Sequence, residues 1–242
     1  MSDLIARGIT DRGNLRDKNE DSYLVRLNQN NILAVADGMG GHKGGEVASS
    51  TAIEMLDEIN FDCNDEYNQY FQNIFSGINN RIIDKGLDDP TLKGMGTTLS
   101  VCLICNDKLY YGHVGDSRIY LYRNENLSKL STDHSYVNQL VTKGKISKEE
   151  AFNHPKRNIL TQAIGLERNL DLDTGMVELN SGDYILICSD GLSDMVREKE
   201  IELIISNLYP EVDEINDKLL TDALAAGGSD NITFISCLIK EV

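Results

Sequence analysis

The chain of 242 residues contains no tryptophan, and its three prolines, Pro90, Pro155 and Pro210, are scattered. The core must therefore be built on Ile, Leu and Val, and no stretch has the composition of a linker. Basic residues are scarce. Only 23 Lys and Arg stand against 39 Asp and Glu, a formal net charge of −16. Nucleic-acid binding depends on Lys and Arg displacing phosphate counterions, and anionic membranes attract basic segments, so neither is an expected partner. No apolar run approaches the ~20 residues needed to span a bilayer. The start, Met1-Ser2-Asp3-Leu4-Ile5-Ala6-Arg7, lacks the basic and apolar regions of a signal peptide. Five cysteines is an odd number, and none has zinc-site spacing. Cys102 and Cys105 are spaced C-x-x-C within a β-like run, where residues three apart point to opposite faces. The expectation is a cytoplasmic protein without membrane insertion, kept reduced, its cysteines mostly small buried apolar residues.

What is present suits one domain over residues 1–242. The hydrophobic fraction, 40%, is adequate for a sizeable core, and no internal repeat occurs. Period-2 patterns predict strands at Leu4–Thr10, Ser22–Leu27, Ile32–Ala36, Thr97–Ile104, Lys108–Val114, Arg118–Arg123, Asp173–Glu178, Tyr184–Cys188 and Asn231–Ile239. Helical spacing predicts about Gly44–Ile59, Glu66–Leu87, Arg197–Leu208 and Val212–Ala226. Strands cluster rather than alternate with helices, which favours an α+β architecture with antiparallel sheet. The polar segment from His134 to about Gly165 is too long for an ordinary connection and reads as a functional loop or flap.

Four aspartates stand where an apolar run stops or starts. Asp37 follows Ile32-Leu33-Ala34-Val35-Ala36, Asp116 follows Tyr110-Tyr111-Gly112-His113-Val114, Asp190 follows Tyr184-Ile185-Leu186-Ile187-Cys188, and Asp230 precedes Ile232-Thr233-Phe234-Ile235. Each alone is explained by turn chemistry, and Gly115-Asp116 in particular reads as a hairpin turn between the flanking strands. Together they are harder to dismiss. Carboxylates crowded at the edge of a core repel one another unless a cation neutralises them or they stay protonated, and the fitting cation is a hard one, Mg²⁺ or Mn²⁺. Gly38 has no side chain, so its carbonyl can approach whatever Asp37 binds. In the polar stretch Thr10–Ser22, Arg16 offers a planar fork suited to phosphate. Glu20 and Asp21 could accept hydrogen bonds from waters held by Mg²⁺, which sheds them reluctantly.

The motifs Arg16-x-x-Asn19-Glu20-Asp21-Ser22, Asp37-Gly38-Met39-Gly40-Gly41-His42, Gly94-Met95-Gly96-Thr97-Thr98, Gly115-Asp116-Ser117-Arg118, Ser189-Asp190-Gly191-Leu192 and Asp230-Asn231-Ile232-Thr233 run the length of the chain. As an ordered set they resemble those of bacterial metal-dependent protein serine/threonine phosphatases, the protein phosphatase type 2C family. The resemblance implies a four-layer αββα sandwich, two antiparallel sheets flanked by helices, with a flap at about 134–165 beside a metal cleft. It implies two Mg²⁺ or Mn²⁺ ions, with Asp37 bridging both, the Gly38 carbonyl on one, and Asp190 and Asp230 on the other. Asp116, with Asp190, would hold a third and weaker ion. Arg16 would bind the substrate phosphate, and Glu20 and Asp21 would act through bound waters.

By that resemblance a metal-bridging hydroxide attacks phosphorus in line, Arg16 stabilises the equatorial charge, and no protein nucleophile is needed. The absence of any Cys-x5-Arg phosphatase loop agrees. One family feature is missing: many eukaryotic members carry a proton-donating His where this chain has Met39, and His42 lies three residues further on. The implied partners are phosphorylated proteins, including a cognate serine/threonine kinase, acted on by a monomer. Two other classes compete. A phosphoprotein-binding regulatory module with little turnover would have a broken acidic set, yet all four aspartates and Arg16 are present. A metal-dependent nuclease would need a basic groove.

Overall fold

The computed structural model describes residues 3–27, 31–40, 44–60 and 66–241. Among them are eleven strands: β1 (Asp3–Asp11), β2 (Asp21–Arg26), β3 (Asn31–Met39), β4 (Gly96–Thr97), β5 (Leu99–Cys105), β6 (Lys108–Val114), β7 (Arg118–Arg123), β8 (Asn126–Lys129), β9 (Asp173–Glu178), β10 (Tyr184–Cys188) and β11 (Ile232–Glu241). The helices are α1 (Gly44–Glu58), α2 (Tyr67–Asp88), α3 (Tyr136–Thr142), α4 (Lys148–Phe152), α5 (Asp190–Ser193), α6 (Glu198–Leu208) and α7 (Val212–Ala225). One sheet has the order β1-β11-β10-β7-β8. The other has β2-β3-β5-β6-β9, with the short β4 paired to β3. Neighbouring strands are antiparallel throughout.

Three apolar layers hold this sandwich together. Leu33, Val35, Ile104, Ile119, Ile185, Ile187 and Ile235 interleave between the two sheets. The alternate residues Ile32, Ala34 and Ala36 face outward onto α1 and α2, where they meet Leu56, Phe71, Phe75 and Ile78. On the other side Tyr184, Leu186 and Phe234 pack against Ile201 and Ile205 of α6 and Ile215 and Leu219 of α7. Both faces of each central strand are thus covered, which is why β5 and β10 are buried along their whole length and show no polar alternation. This is the expected αββα order.

Several local expectations change. β3 does not stop at Ala36 but continues through Asp37-Gly38-Met39, because Gly38 and Met39 pair with Thr97 and Gly96 of β4. The expected strand Thr97–Ile104 is broken at Thr98, whose hydroxyl instead accepts the Asp37 backbone N–H at 2.9 Å. The hairpin reading of Gly115-Asp116 does not hold. β6 and β7 lie in different sheets, so the turn carries the chain from one layer to the other. Cys102, Cys188 and Cys237 are free and buried, but Cys105 is disulfide-bonded, a departure from a wholly reduced chain. Cys105 closes β5 at the sheet margin and faces the helices while Cys102 faces the other sheet, so the C-x-x-C pair is split across faces. Gly41 and His42 lie outside the described residues. No helix among the described residues is long and apolar enough to cross a membrane.

The flap is present and has a closed neck. Ser135 bridges Leu160, the Tyr136 N–H donates to the Ile159 carbonyl at 2.8 Å, and the Thr161 N–H donates to the His134 carbonyl at 2.8 Å. Within it, α3 and α4 start on Ser135 and Ser147, whose hydroxyls accept from Asn138 and Glu150 N–H groups.

Candidate active site

Strand direction brings the predicted aspartates to one pole of the sandwich. The far end of β3 carries Asp37 directly opposite Asp21 at the start of β2. The far end of β10 carries Asp190, and the antiparallel β11 begins beside it, just after Asp230. The crossover from β6 to β7 delivers Asp116 to the same pole, where Arg118 pairs in register with Cys188.

Packing at this pole leaves little freedom. A methyl on Gly38 would sit 2.2 Å from the Gly45 carbonyl oxygen and 2.4 Å from that of Glu20, so only glycine lets β3, α1 and the loop before β2 converge. The Asp37 carbonyl accepts from the Thr98 N–H at 2.9 Å and from Thr97 Oγ1 at 2.9 Å. Thr98 Oγ1 in turn meets Ser117 Oγ at 2.7 Å, tying Asp37 to the Asp116 turn. Ser189 Oγ donates to Asp21 Oδ2 at 2.9 Å.

The carboxylates act on one another. Burial pushes the Asp37 carboxyl well above the ordinary range, and Asp21, Asp190, Asp116 and Asp230 add to the effect. Burial likewise raises Asp190 well above normal, reinforced by Asp116, Asp194, Asp230 and Asp21. Asp116 is pushed up to about 7 by burial and Asp133, against Arg118. Asp21 is raised to about 6 by burial, with the field of Asp230 adding to it and hydrogen bonds from neighbours opposing. Glu20 is raised by burial and partly relieved by Arg16 and Lys18. Such a group of acids holds charge comfortably only beside a cation.

Arg16 supplies part of that charge. Its Nη2 donates to Asp230 Oδ2 at 2.7 Å, and half of its side chain remains exposed. Partial burial works against its charge, but the bond to Asp230 and the fields of Asp230, Asp190 and Asp37 outweigh this and hold the proton more firmly. Asp230 is therefore shared between Arg16 and, through Oδ1, the Asn231 N–H at 2.8 Å.

The donor set fits hard divalent ions. It consists of carboxylates and a backbone carbonyl, and the imidazoles of His113 and His134 beside the Asp116 turn are engaged with the Gly115 backbone. Among those residues no three His, Cys, Asp or Glu side chains alone form a cage for one ion. Ions that take one or two carboxylates each and complete their shell with waters need no such cage.

Further contributors carried no assigned role in the sequence reading. Asn231 donates to the Arg12 and Lys18 carbonyls at 2.9 and 2.8 Å and accepts the Glu20 N–H at 2.8 Å, fixing the loop that bears Arg16. Asp194 pairs with Arg157 of the flap at 3.1 Å. Its signal was its i,i+4 spacing from Asp190, one turn on and just past the end of α5. Arg118 and Lys129 both pair with Asp133, at 3.0 and 2.8 Å, behind Asp116. Asn231→Ala is expected to lose about 2–3 kcal/mol of stability, since its three hydrogen bonds contribute about 1 kcal/mol each. A urea titration measures this, and amide exchange should quicken from Arg12 to Glu20.

The chain is similar to known proteins along nearly its whole length. Residues 14–225 match the profile of the family described as protein phosphatase 2C. The serine/threonine phosphatase stp of Listeria monocytogenes is 40% identical over 233 residues, covering 93% of this chain and 92% of that protein. Among solved structures, the serine/threonine phosphatase Stp1 from Staphylococcus aureus superposes with a TM-score of 0.93 at 36% identity, covering 99% of this chain and 96% of that one. The catalytic domain of the phosphatase PstP in complex with two manganese ions has a TM-score of 0.88 at 34% identity, covering 98% of this chain and 99% of that one.

Proposed function

Because the chain belongs to the protein phosphatase 2C family, we propose that it hydrolyses phosphoserine and phosphothreonine in proteins, using Mg²⁺ or Mn²⁺, by in-line attack of water on phosphorus. The observation that carries this reading is the convergence at one pole of Arg16 with Asp37, Asp190, Asp116 and Asp230, each within the electrostatic reach of others. When bound, divalent ions neutralise phosphoryl oxygens and lower the pKa of water from ~15.7 toward ~7.

The chain's residues divide the remaining work. Asp37, the Gly38 carbonyl, Asp190 and Asp230 would hold two divalent ions, and Asp116, with Asp190, would hold a third and weaker one. Asp230 retains acceptor capacity for this, because each carboxylate oxygen has two lone pairs and its bonds to Arg16 and Asn231 use one each. Arg16 has five N–H donors and spends one on Asp230, so the rest of its fork is open to a phosphoryl group. Asp21 is fixed by Ser189, and Glu20 by its backbone bond to Asn231, where both can orient waters. Met39 carries no proton, so the serine or threonine alkoxide leaves by taking a proton from water. Substrates are phosphorylated proteins, among them a cognate serine/threonine kinase.

Turnover of a phosphothreonine peptide tests this. Mn²⁺ should support hydrolysis and a chelator should stop it. Arg16→Met should lower kcat/KM by about 10²-fold with little change in melting temperature, because its ion pair is half exposed and contributes at most ~1 kcal/mol. Equal rates with Mn²⁺ and with chelator would end the claim.

A further inference from the structure

A cavity of about 390 Å³ lies between the flap and the body, and Asp116 and Asp190 are part of its lining. It is therefore continuous with the carboxylate pole. One wall is apolar, formed by Val137 and Val141 of α3 and Ala151 and Phe152 of α4. Arg197 reaches that wall from the body, its guanidinium 4.5 Å over the Phe152 ring and 3.1 Å from Glu149 Oε2. Ser193 also lines the cavity, and its buried Oγ has no hydrogen-bond partner among the described residues.

In a chain of net charge −16 this lining is balanced, with six cations, Arg118, Lys129, Lys148, Arg157, Arg197 and Lys199, against an equal number of carboxylates. Four are matched. Arg118 and Lys129 share Asp133, Arg157 holds Asp194, and Arg197 holds Glu149. Lys148 and Lys199 are exposed and, among the described residues, have no ion-pair partner. Both line the cavity, one at the start of α4 and the other in the first turn of α6.

We propose that this cavity is a subsite for an acidic residue flanking the phosphorylated residue of the substrate, its carboxylate held by Lys148 and Lys199 and its aliphatic stem laid against Val137, Val141 and Phe152. The subsite rests on the phosphatase reading and adds a substrate preference to it. A glutamate fits both halves, since its methylenes suit the apolar wall and its carboxylate suits the lysines. Its remaining acceptor sites could also meet the Ser193 hydroxyl, which has no partner among the described residues. Global electrostatics point the other way. An acidic protein attracts basic peptides and repels acidic ones, so a preference for acid at one flanking position requires a local site.

Steady-state kinetics decide the matter, using phosphothreonine peptides that carry Glu, Gln or Lys at one flanking position at a time. At one position KM for Glu should be about 5-fold below KM for Gln, the scale of exposed ion pairs. Lys148→Ala with Lys199→Ala should erase that ratio, and Lys148→Glu with Lys199→Glu should turn it toward Lys. Lys145→Ala, which removes a flap charge outside the cavity, should keep it. A wild type indifferent to Glu at every position, or a ratio that survives the double substitution, overturns the subsite while leaving the phosphatase. Failure to hydrolyse any peptide with Mn²⁺ overturns the phosphatase reading and the subsite with it.

Discussion

Asp37→Asn is expected to lower kcat on a phosphothreonine peptide by about three orders of magnitude and, at the same time, to raise the melting temperature of the metal-free protein. The two effects share one cause. Asp37 sits among Asp21, Asp190, Asp116 and Asp230, and burial with their fields holds its pKa well above the ordinary carboxylate value. Ionising it without a cation is costly, and asparagine keeps the shape while removing the charge. A carboxylate whose folded-state pKa lies above its unfolded value of ~3.9 binds more protons when folded, so its contribution to stability is present at low pH and is lost as pH rises through the folded value. Asp21 at about 6 and Asp116 at about 7 set that window for the cluster. In chelator, the advantage of Asp37→Asn over the wild type should therefore grow between about pH 5 and pH 8, with each kcal/mol appearing as ~2–4 °C for a chain of this size. His113, held down to about 3 by burial, and His134, also lowered by burial, drive stability in the opposite direction. They are common to both proteins and cancel in the difference. Saturating Mn²⁺ should reverse the order, because the bound ions favour the ionised form. A variant that melts no higher than wild type at pH 8 in chelator would refute the crowding account.

Gly191→Ala should disable the protein through the backbone. A methyl there would lie 1.9 Å from the Asn231 carbonyl oxygen and 2.8 Å from its carbon, backbone atoms just before β11 that have no rotamer to yield. The start of α5 must then move away from the start of β11, separating Asp190 from Asp230 and pulling Asn231 from the Arg12 and Lys18 carbonyls. The expected cost is about 3 kcal/mol or more, at the upper end for overpacked sites. Activity should fall further than the unfolded fraction accounts for. Gly77→Ala is the comparison, since open space surrounds that position in α2 and the change should be neutral or stabilising by up to ~1 kcal/mol. Urea unfolding together with kcat/KM at a temperature where both variants are folded tests the pair, and a fully active Gly191→Ala protein would refute the close approach.

Much of this arrangement was legible in the sequence wherever one element determines it. The stripe Phe71, Ile74, Phe75, Ile78 and Ile82 is buried against the sheet as its spacing requires. The continuous apolar runs of β5 and β10 signalled strands covered on both faces. The misreadings share a physical origin. Gly115-Asp116 has the same local chemistry in a hairpin and in a crossover between sheets, so only the partner strands distinguish them. Thr98 looks like strand sequence, but a distant carboxylate strand and Ser117 claim its hydroxyl. β8 was missed because its turn, Asn124-Glu125, takes left-handed backbone at both residues without the usual Asn-Gly signature. At the pole, the strand-end positions of Asp37, Asp190 and Asp230 were visible, whereas the role of Asn231 depends on partners more than two hundred residues away.

The neck of the flap has an evolutionary consequence. Because Ser135 and Leu160 meet side by side, everything between them leaves and re-enters the body at one point. An insertion or deletion in that interval alters loop-closure entropy only logarithmically, about 0.6 kcal/mol for a doubling of length, and disturbs none of the three apolar layers. The segment is built as a cassette whose length can change at little cost to the strands bearing the aspartates. Diversification of substrate choice and constancy of chemistry can therefore proceed in the same chain without competing for the same residues.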